Sequence, residues 1–193
     1  MKCKNIQMKI GINIVCVLAL LLGVSCAKYT PKPKGYLRFD LPQKEYVLFD
    51  STCPYKFEYP AYGQMIKKNN EDCWYDLSFP QYQSTIHLSY KPIKNNLPIL
   101  LEDAHEFISK HTIKADAIED VFIINNKQDA VGLLFDIGGN VATSVQFFVT
   151  DSVNHFLRGS LYFYSAPNRD SLAPLIDFFK EDIEHIMKTI EFK

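Results

Sequence analysis

The chain has no surplus of basic residues: 21 Lys and Arg stand against 22 Asp and Glu in 193 residues. With no excess cations to neutralise phosphates, nucleic-acid binding drops out of the main readings. An apolar run long enough to cross a bilayer is also missing. The greasiest stretch, residues 10–24, is interrupted by Gly11, Asn13 and Gly23 and falls short of the roughly 20 residues a spanning helix needs. H-E-x-x-H, G-x-S-x-G, a P-loop and G-x-G-x-x-G do not occur, which leaves the common metal, nucleophile and nucleotide chemistries without a signature. His105 and His111 are six residues apart, about 240° around a helix, so they do not converge on a metal. No metal, no cofactor and no catalytic residue is expected. There is neither an internal repeat nor a low-complexity segment. What is present is an ordinary globular balance, 47% hydrophobic and 22% charged, with 14 Phe and 11 Tyr supplying a large apolar payload.

The N-terminus reads as an export signal. Lys2, Lys4 and Lys9 precede the apolar stretch, and no acidic residue occurs before Asp40. A positive start followed by a short greasy segment marks residues 1–25 as a signal peptide. Leu22-Gly23-Val24-Ser25-Cys26 then places a small residue before a cysteine, a pattern that resembles the bacterial lipobox except that Gly23 stands where Leu is usual. Cys26 is therefore the expected lipidation site and the first residue of the mature chain. Each buried methylene contributes roughly 0.8 kcal/mol, so two or three acyl chains make a stable anchor where one does not. Removing residues 1–25 takes three basic and no acidic residues, leaving a body of net charge −4 with no electrostatic pull toward anionic lipid. Ala27 follows the cysteine with no Asp or Glu nearby, which resembles the outer-membrane address of Gram-negative lipoproteins, with the body in the periplasm.

Export also sets the redox compartment. Of five cysteines, Cys53 and Cys73 remain in the body, an even pair in an oxidising space. A bridge between them would close a loop of about 20 residues, stabilising by roughly 3 kcal/mol in the chain-entropy model. Two free thiols or a redox couple are the alternatives, and the spacing matches neither C-x-x-C nor a zinc ribbon.

Residues 26–52 read as a lipid-anchored tether and strap. Tyr29-Thr30-Pro31-Lys32-Pro33-Lys34-Gly35 favours an extended, semi-rigid chain, and the aromatic-rich residues after it are expected to pack on the domain. A single domain is expected over 53–193. Period-two alternation predicts strands near 55–59, 74–79, 85–90, 119–124, 131–137, 142–150 and 155–164. Helices are predicted from Asn96 to about residue 108 and from Asp170 or Ser171, as N-cap, to about 190. The order gives an α+β fold: a mainly antiparallel sheet with two helices on one face.

Three features invite a functional reading. Asp151, Ser152 and His155 lie within five positions, raising an envelope hydrolase with Ser152 or another serine as nucleophile and a histidine base, against a simple capped turn. Arg158 sits among aromatics on its strand and, with the neighbouring His155, is a candidate partner-binding residue. Asp50-Ser51-Thr52, Asp151-Ser152-Val153 and Asp170-Ser171-Leu172 share a form that resembles an O-glycosylation sequon of exported proteins, making Ser51, Ser152 and Ser171 candidate acceptors.

Taken together, several segments resemble the gliding-motility lipoprotein GldD family. They are Tyr29-Thr30-Pro31-Lys32-Pro33-Lys34-Gly35-Tyr36, Cys53-Pro54-Tyr55 with Phe57-Glu58-Tyr59-Pro60, Cys73-Trp74 and His87-Leu88-Ser89-Tyr90-Lys91. Further ones are Gln146-Phe147-Phe148-Val149-Thr150-Asp151-Ser152-Val153, His155-Phe156-Leu157-Arg158-Gly159 and Asp170-Ser171-Leu172-Ala173-Pro174. The resemblance implies a cell-envelope lipoprotein of the gliding apparatus, linked to type IX secretion, with no enzymatic activity and with other motility or secretion lipoproteins or envelope proteins as partners. A weaker likeness is to PsbP-like domains, which share the order strands, helix, strands, helix. The alternatives are the envelope hydrolase and a periplasmic carrier of a small hydrophobic or glycan ligand, held in a deep dry pocket between sheet and strap.

Overall fold

A computed structural model describes residues 39–69, 71–110, 115–125 and 129–193. The signal peptide 1–25, Cys26 and the first part of the tether lie outside the described residues. Among the described residues ten strands and two α-helices follow in order: β1 Tyr46–Asp50, β2 Tyr55–Pro60, β3 Gln64–Lys67, β4 Tyr75–Phe79, β5 Ser84–Pro92, α1 Leu97–Ser109, β6 Ala115–Asn125, β7 Ala130–Gly139, β8 Thr143–Thr150, β9 His155–Phe163, α2 Arg169–Thr189 and β10 Glu191–Phe192. Seven strands form one sheet in the order β3-β4-β5-β9-β8-β7-β6, and β1, β2 and β10 form a second. All the pairings are antiparallel. The fold is α+β.

The alternation of side chains divides the large sheet into two working faces. Leu134 of β7, Val145, Phe147 and Val149 of β8 and Leu157 and Leu161 of β9 meet Leu175, Ile176, Phe179, Ile183, Ile186 and Met187 of α2, with Tyr55 and Phe57 of β2 in the same core. Phe135 and Ile137 of β7, Phe148 of β8 and Phe156 of β9 meet Leu100, Ala104 and Ile108 of α1. The two helices therefore pack on opposite faces of the sheet, correcting the expectation of one shared face. The physical reason is that the face away from α2 is also apolar, with Phe135 and Ile137 of β7, Phe148 of β8 and Phe156 of β9 on it, so the sheet must be covered on both sides. Each buried Leu, Ile or Phe contributes roughly 1.5–3 kcal/mol, so neither face could be left to water.

Local chemistry adjusts the predicted boundaries. Asn168, not Asp170 or Ser171, caps α2, its side chain accepting from the Ser171 amide. Asn96 holds the cap position of α1 but its Oδ1 accepts from the Lys94 amide instead of a helical one. The strap contributes a strand: β1 pairs with β2 in register Val47↔Tyr59 and Phe49↔Phe57. Just before it, Lys44 reaches α2, where its ammonium lies 2.7 Å from the fully buried Asp182 and 3.5 Å from the Phe178 ring centroid. Tyr46 at 3.0 Å and Tyr62 also donate to Asp182. Burial, and then the carboxylate, raise both phenols well above their ordinary pKa, so both remain donors.

Candidate functional site

The disulfide is present. Cys53 and Cys73 are bonded with Cα atoms 5.5 Å apart, joining the entry of β2 to the approach of β4. Tyr55, fully buried, donates to the Cys73 carbonyl at 2.7 Å, so the bridge is braced by the core beside it.

His155 and Arg158 do not form one site. They stand on opposite faces of β9 as the pleat requires. His155 packs on the α2 side, stacked on Phe192 at 5.0 Å. Its Nδ1 lies 2.8 Å from the Tyr90 hydroxyl and its Nε2 faces Asp151 Oδ2 at 3.9 Å. Arg158 lies on the α1 side, with its guanidinium 4.0 Å from the centroid of Phe107. Burial lowers its pKa, against the opposing pull of Asp103; a guanidinium remains charged even so. The aromatic partner is thus a helix phenylalanine, which the strand's own sequence could not reveal.

The 150–155 turn is built for structure. Asp151 Oδ1 accepts from the amides of Val153, Asn154 and His155 at 2.8–3.0 Å. Burial would raise its pKa, but these three donors outweigh it and hold the carboxyl below the ordinary range. Ser152 sits at φ 63°, exposed, with its amide donating to Thr150 Oγ1. The hydrogen bond of the His155 ring is to Tyr90, and its other nitrogen faces Asp151, not Ser152. Of the other two candidate acceptors, Ser51 Oγ accepts from the Cys53 amide and Ser171 lies in the first turn of α2, which leaves Ser152 the most open of the three.

A cleft of about 750 Å³ lies beside the disulfide, with Trp74 and Tyr90 in its wall and Lys67, Lys91, Glu71 and Asp72 among its lining residues. That charged lining differs from the dry pocket between sheet and strap that a hydrophobic carrier would present. Among the described residues no group of three His, Cys, Asp or Glu is placed to hold a metal, and no helix is long and apolar enough to cross a membrane.

A different surface stands out. The edge strand β6 leaves Ile118, Val121, Phe122 and Ile124 exposed, Phe122 at 59% and Ile124 at 54%. Sequence reasoning placed a strand here but not at a sheet edge, because strand order is not written in the alternation. The density of apolar residues on both faces of 121–124 was the available signal.

The family model of the gliding motility lipoprotein GldD matches residues 26–192. The chain belongs to this family. GldD membership makes it a cell-envelope lipoprotein tied to gliding motility. No curated protein matches the chain. Among solved structures, the cyanobacterial PsbP (CyanoP) of Synechocystis sp. PCC 6803 is similar at 11% identity and a TM-score of 0.45, covering 84% of this chain and 100% of that one.

Proposed function

We propose that this GldD-family lipoprotein is a non-enzymatic adaptor of the gliding machinery, linked to type IX secretion. Acyl chains on Cys26 hold it in the outer membrane, and its body works in the periplasm. The family match begins at residue 26, which supports Cys26 as the first residue of the mature chain. The observation that carries the adaptor reading is the apolar surface of β6. Exposed Phe122 and Ile124 side by side on one face of a sheet edge, with Val121 exposed on the other, are costly to leave in water and mark a surface that meets another protein. The His155 ring, hydrogen-bonded to Tyr90 and turned toward Asp151, weighs against the hydrolase. Ser152, exposed beyond its turn, is the acceptor favoured for O-glycosylation.

The test is a mildly cross-linked pull-down from envelope, comparing wild type with Cys26→Ala. Wild type should fractionate with the outer membrane and retain motility or secretion partners, while Cys26→Ala should become soluble in the periplasm and lose them. Recovery of both forms as soluble protein without partners would sink the adaptor reading.

A further inference from the structure

Exposed apolar surface alone does not say what lands on it; three further properties of β6 narrow the choice. It is the terminal strand of the large sheet, paired on one side with β7 and, among the described residues, with no strand on the other. Among the described residues, one row of its backbone N–H and C=O groups from Ala115 to Ile124 thus has no strand partner. At 11 residues it is about twice the usual strand length. Its side chains are organised as well. From Ile118 onward the register sets Ile118, Phe122 and Ile124 beside Ile137, Leu133 and Val131 of β7. These three lie on the α1 face, with Asp120, opposite Phe135, on the same row between Ile118 and Phe122. Finally, its charge has one sign. The strand contains Asp116, Glu119 and Asp120 and no Lys or Arg, and none of the three carboxylates has a cation partner among the described residues.

We propose that β6 takes up an extended segment of a partner protein by strand addition. That segment alternates apolar residues along Phe122 and Ile124 and carries Lys or Arg where it passes Glu119 and Asp120. Main-chain hydrogen bonds supply the attachment, and the alternate side chains and charges supply the register. This deepens the adaptor reading and rests on it. A second copy of the chain fits less well. Antiparallel pairing of β6 with itself sets its carboxylates against each other or against its own uncharged residues, never against a cation, because the strand has none. Natural edges that avoid partners carry Lys or a bulge along their length. Here the irregularity is confined to the start, between Ala115 and Ile118.

The experiment places p-benzoylphenylalanine at Val121 of the full-length lipoprotein in its own cells, irradiates them, and sequences the cross-linked peptide by mass spectrometry. The expected adduct is one stretch of a partner with alternating apolar residues and at least two Lys or Arg. Glu119→Lys combined with Asp120→Lys should cut its yield about tenfold. Ile99→Lys, on the exposed side of α1, should leave the yield unchanged. Both carboxylates are exposed, so the reversed variant should melt with wild type; if it does not, Asp120→Asn and added salt on the wild-type protein should each lower the yield. An adduct to residues 115–125 of a second copy, a partner stretch without basic residues, or a yield indifferent to charge and salt would overturn the proposal. Loss of the adduct while the pull-down still recovers partners refutes strand addition alone; loss of partners in both refutes the adaptor with it.

Discussion

Replacing Lys44 by Met tests whether the strap is clasped to the body by a buried charge. The substitution keeps the aliphatic stem and removes an ammonium that lies 2.7 Å from Asp182, 2.6 Å from the Phe178 carbonyl and over the Phe178 ring. Asp182 has no exposed surface, so without Lys44 a buried carboxylate keeps two phenol donors and loses its counter-ion. Breaking a buried pair from one side costs roughly 3–5 kcal/mol. Two things reduce that here: the Lys44 side chain is 23% accessible, letting water approach, and Tyr46 and Tyr62 continue to donate. We expect a loss of about 2 kcal/mol, which for a body of this size lowers Tm by roughly 4–8 °C. Urea unfolding followed by Trp74 fluorescence measures it. Adding Asp182→Asn removes the orphaned charge, so the double variant should be less destabilised than the sum of the two singles by about 1 kcal/mol or more. A single-variant cost under about 0.5 kcal/mol, or strict additivity, would refute the clasp.

Reduction of the Cys53–Cys73 bridge, or Cys53→Ala with Cys73→Ala, should cost about 3 kcal/mol through the loop it closes; unchanged urea midpoints with and without reductant would count against it. Gly132→Ala should destabilise by about 2–3 kcal/mol, because a Cβ there would lie 2.5 Å from the Phe148 carbonyl oxygen and 2.7 Å from Met187 Cε; a wild-type midpoint would contradict the close approach of α2. Asp136 takes Lys180 and Arg169 of α2, each at 2.8 Å. Burial would raise its pKa, but those two bonds prevail and lower it. The folded state therefore holds this proton less tightly than the unfolded chain, whose carboxyl titrates near about 4. The resulting stability is present above that pH and lost as pH falls through the lower folded value. Acid titration of Asp136→Asn should accordingly show a flatter stability loss below about pH 4 than wild type, and identical curves would exclude the linkage.

Most of the strands and both helices were legible through their alternation or amphipathicity, as in Tyr55, Phe57 and the three-and-four spacing of Leu175, Phe179, Ile183 and Ile186. β3 and β10 were not, being four and two residues long, too short for a period to register. β1 was seen only as an apolar strap, since its partner β2 is decided by tertiary packing. The placement of the helices was not legible because amphipathicity shows that a helix has a buried side, not which sheet face receives it; the adjacent Phe147 and Phe148, which put a large apolar side chain on each face, were the available signal. The disulfide was readable from cysteine parity and compartment. Arg158 was readable as a cation among aromatics, but the ring it lies over, Phe107, comes from 51 residues earlier in the chain, beyond any local pattern. The β6 edge was hidden for the same reason: its exposure is a property of strand order.

The most direct test of the account is the intact mass of the protein purified from envelope. The predicted result is a chain beginning at Cys26 and carrying two or three acyl chains. A mass showing an unmodified thiol at that position, or the leader 1–25 still attached, would contradict it.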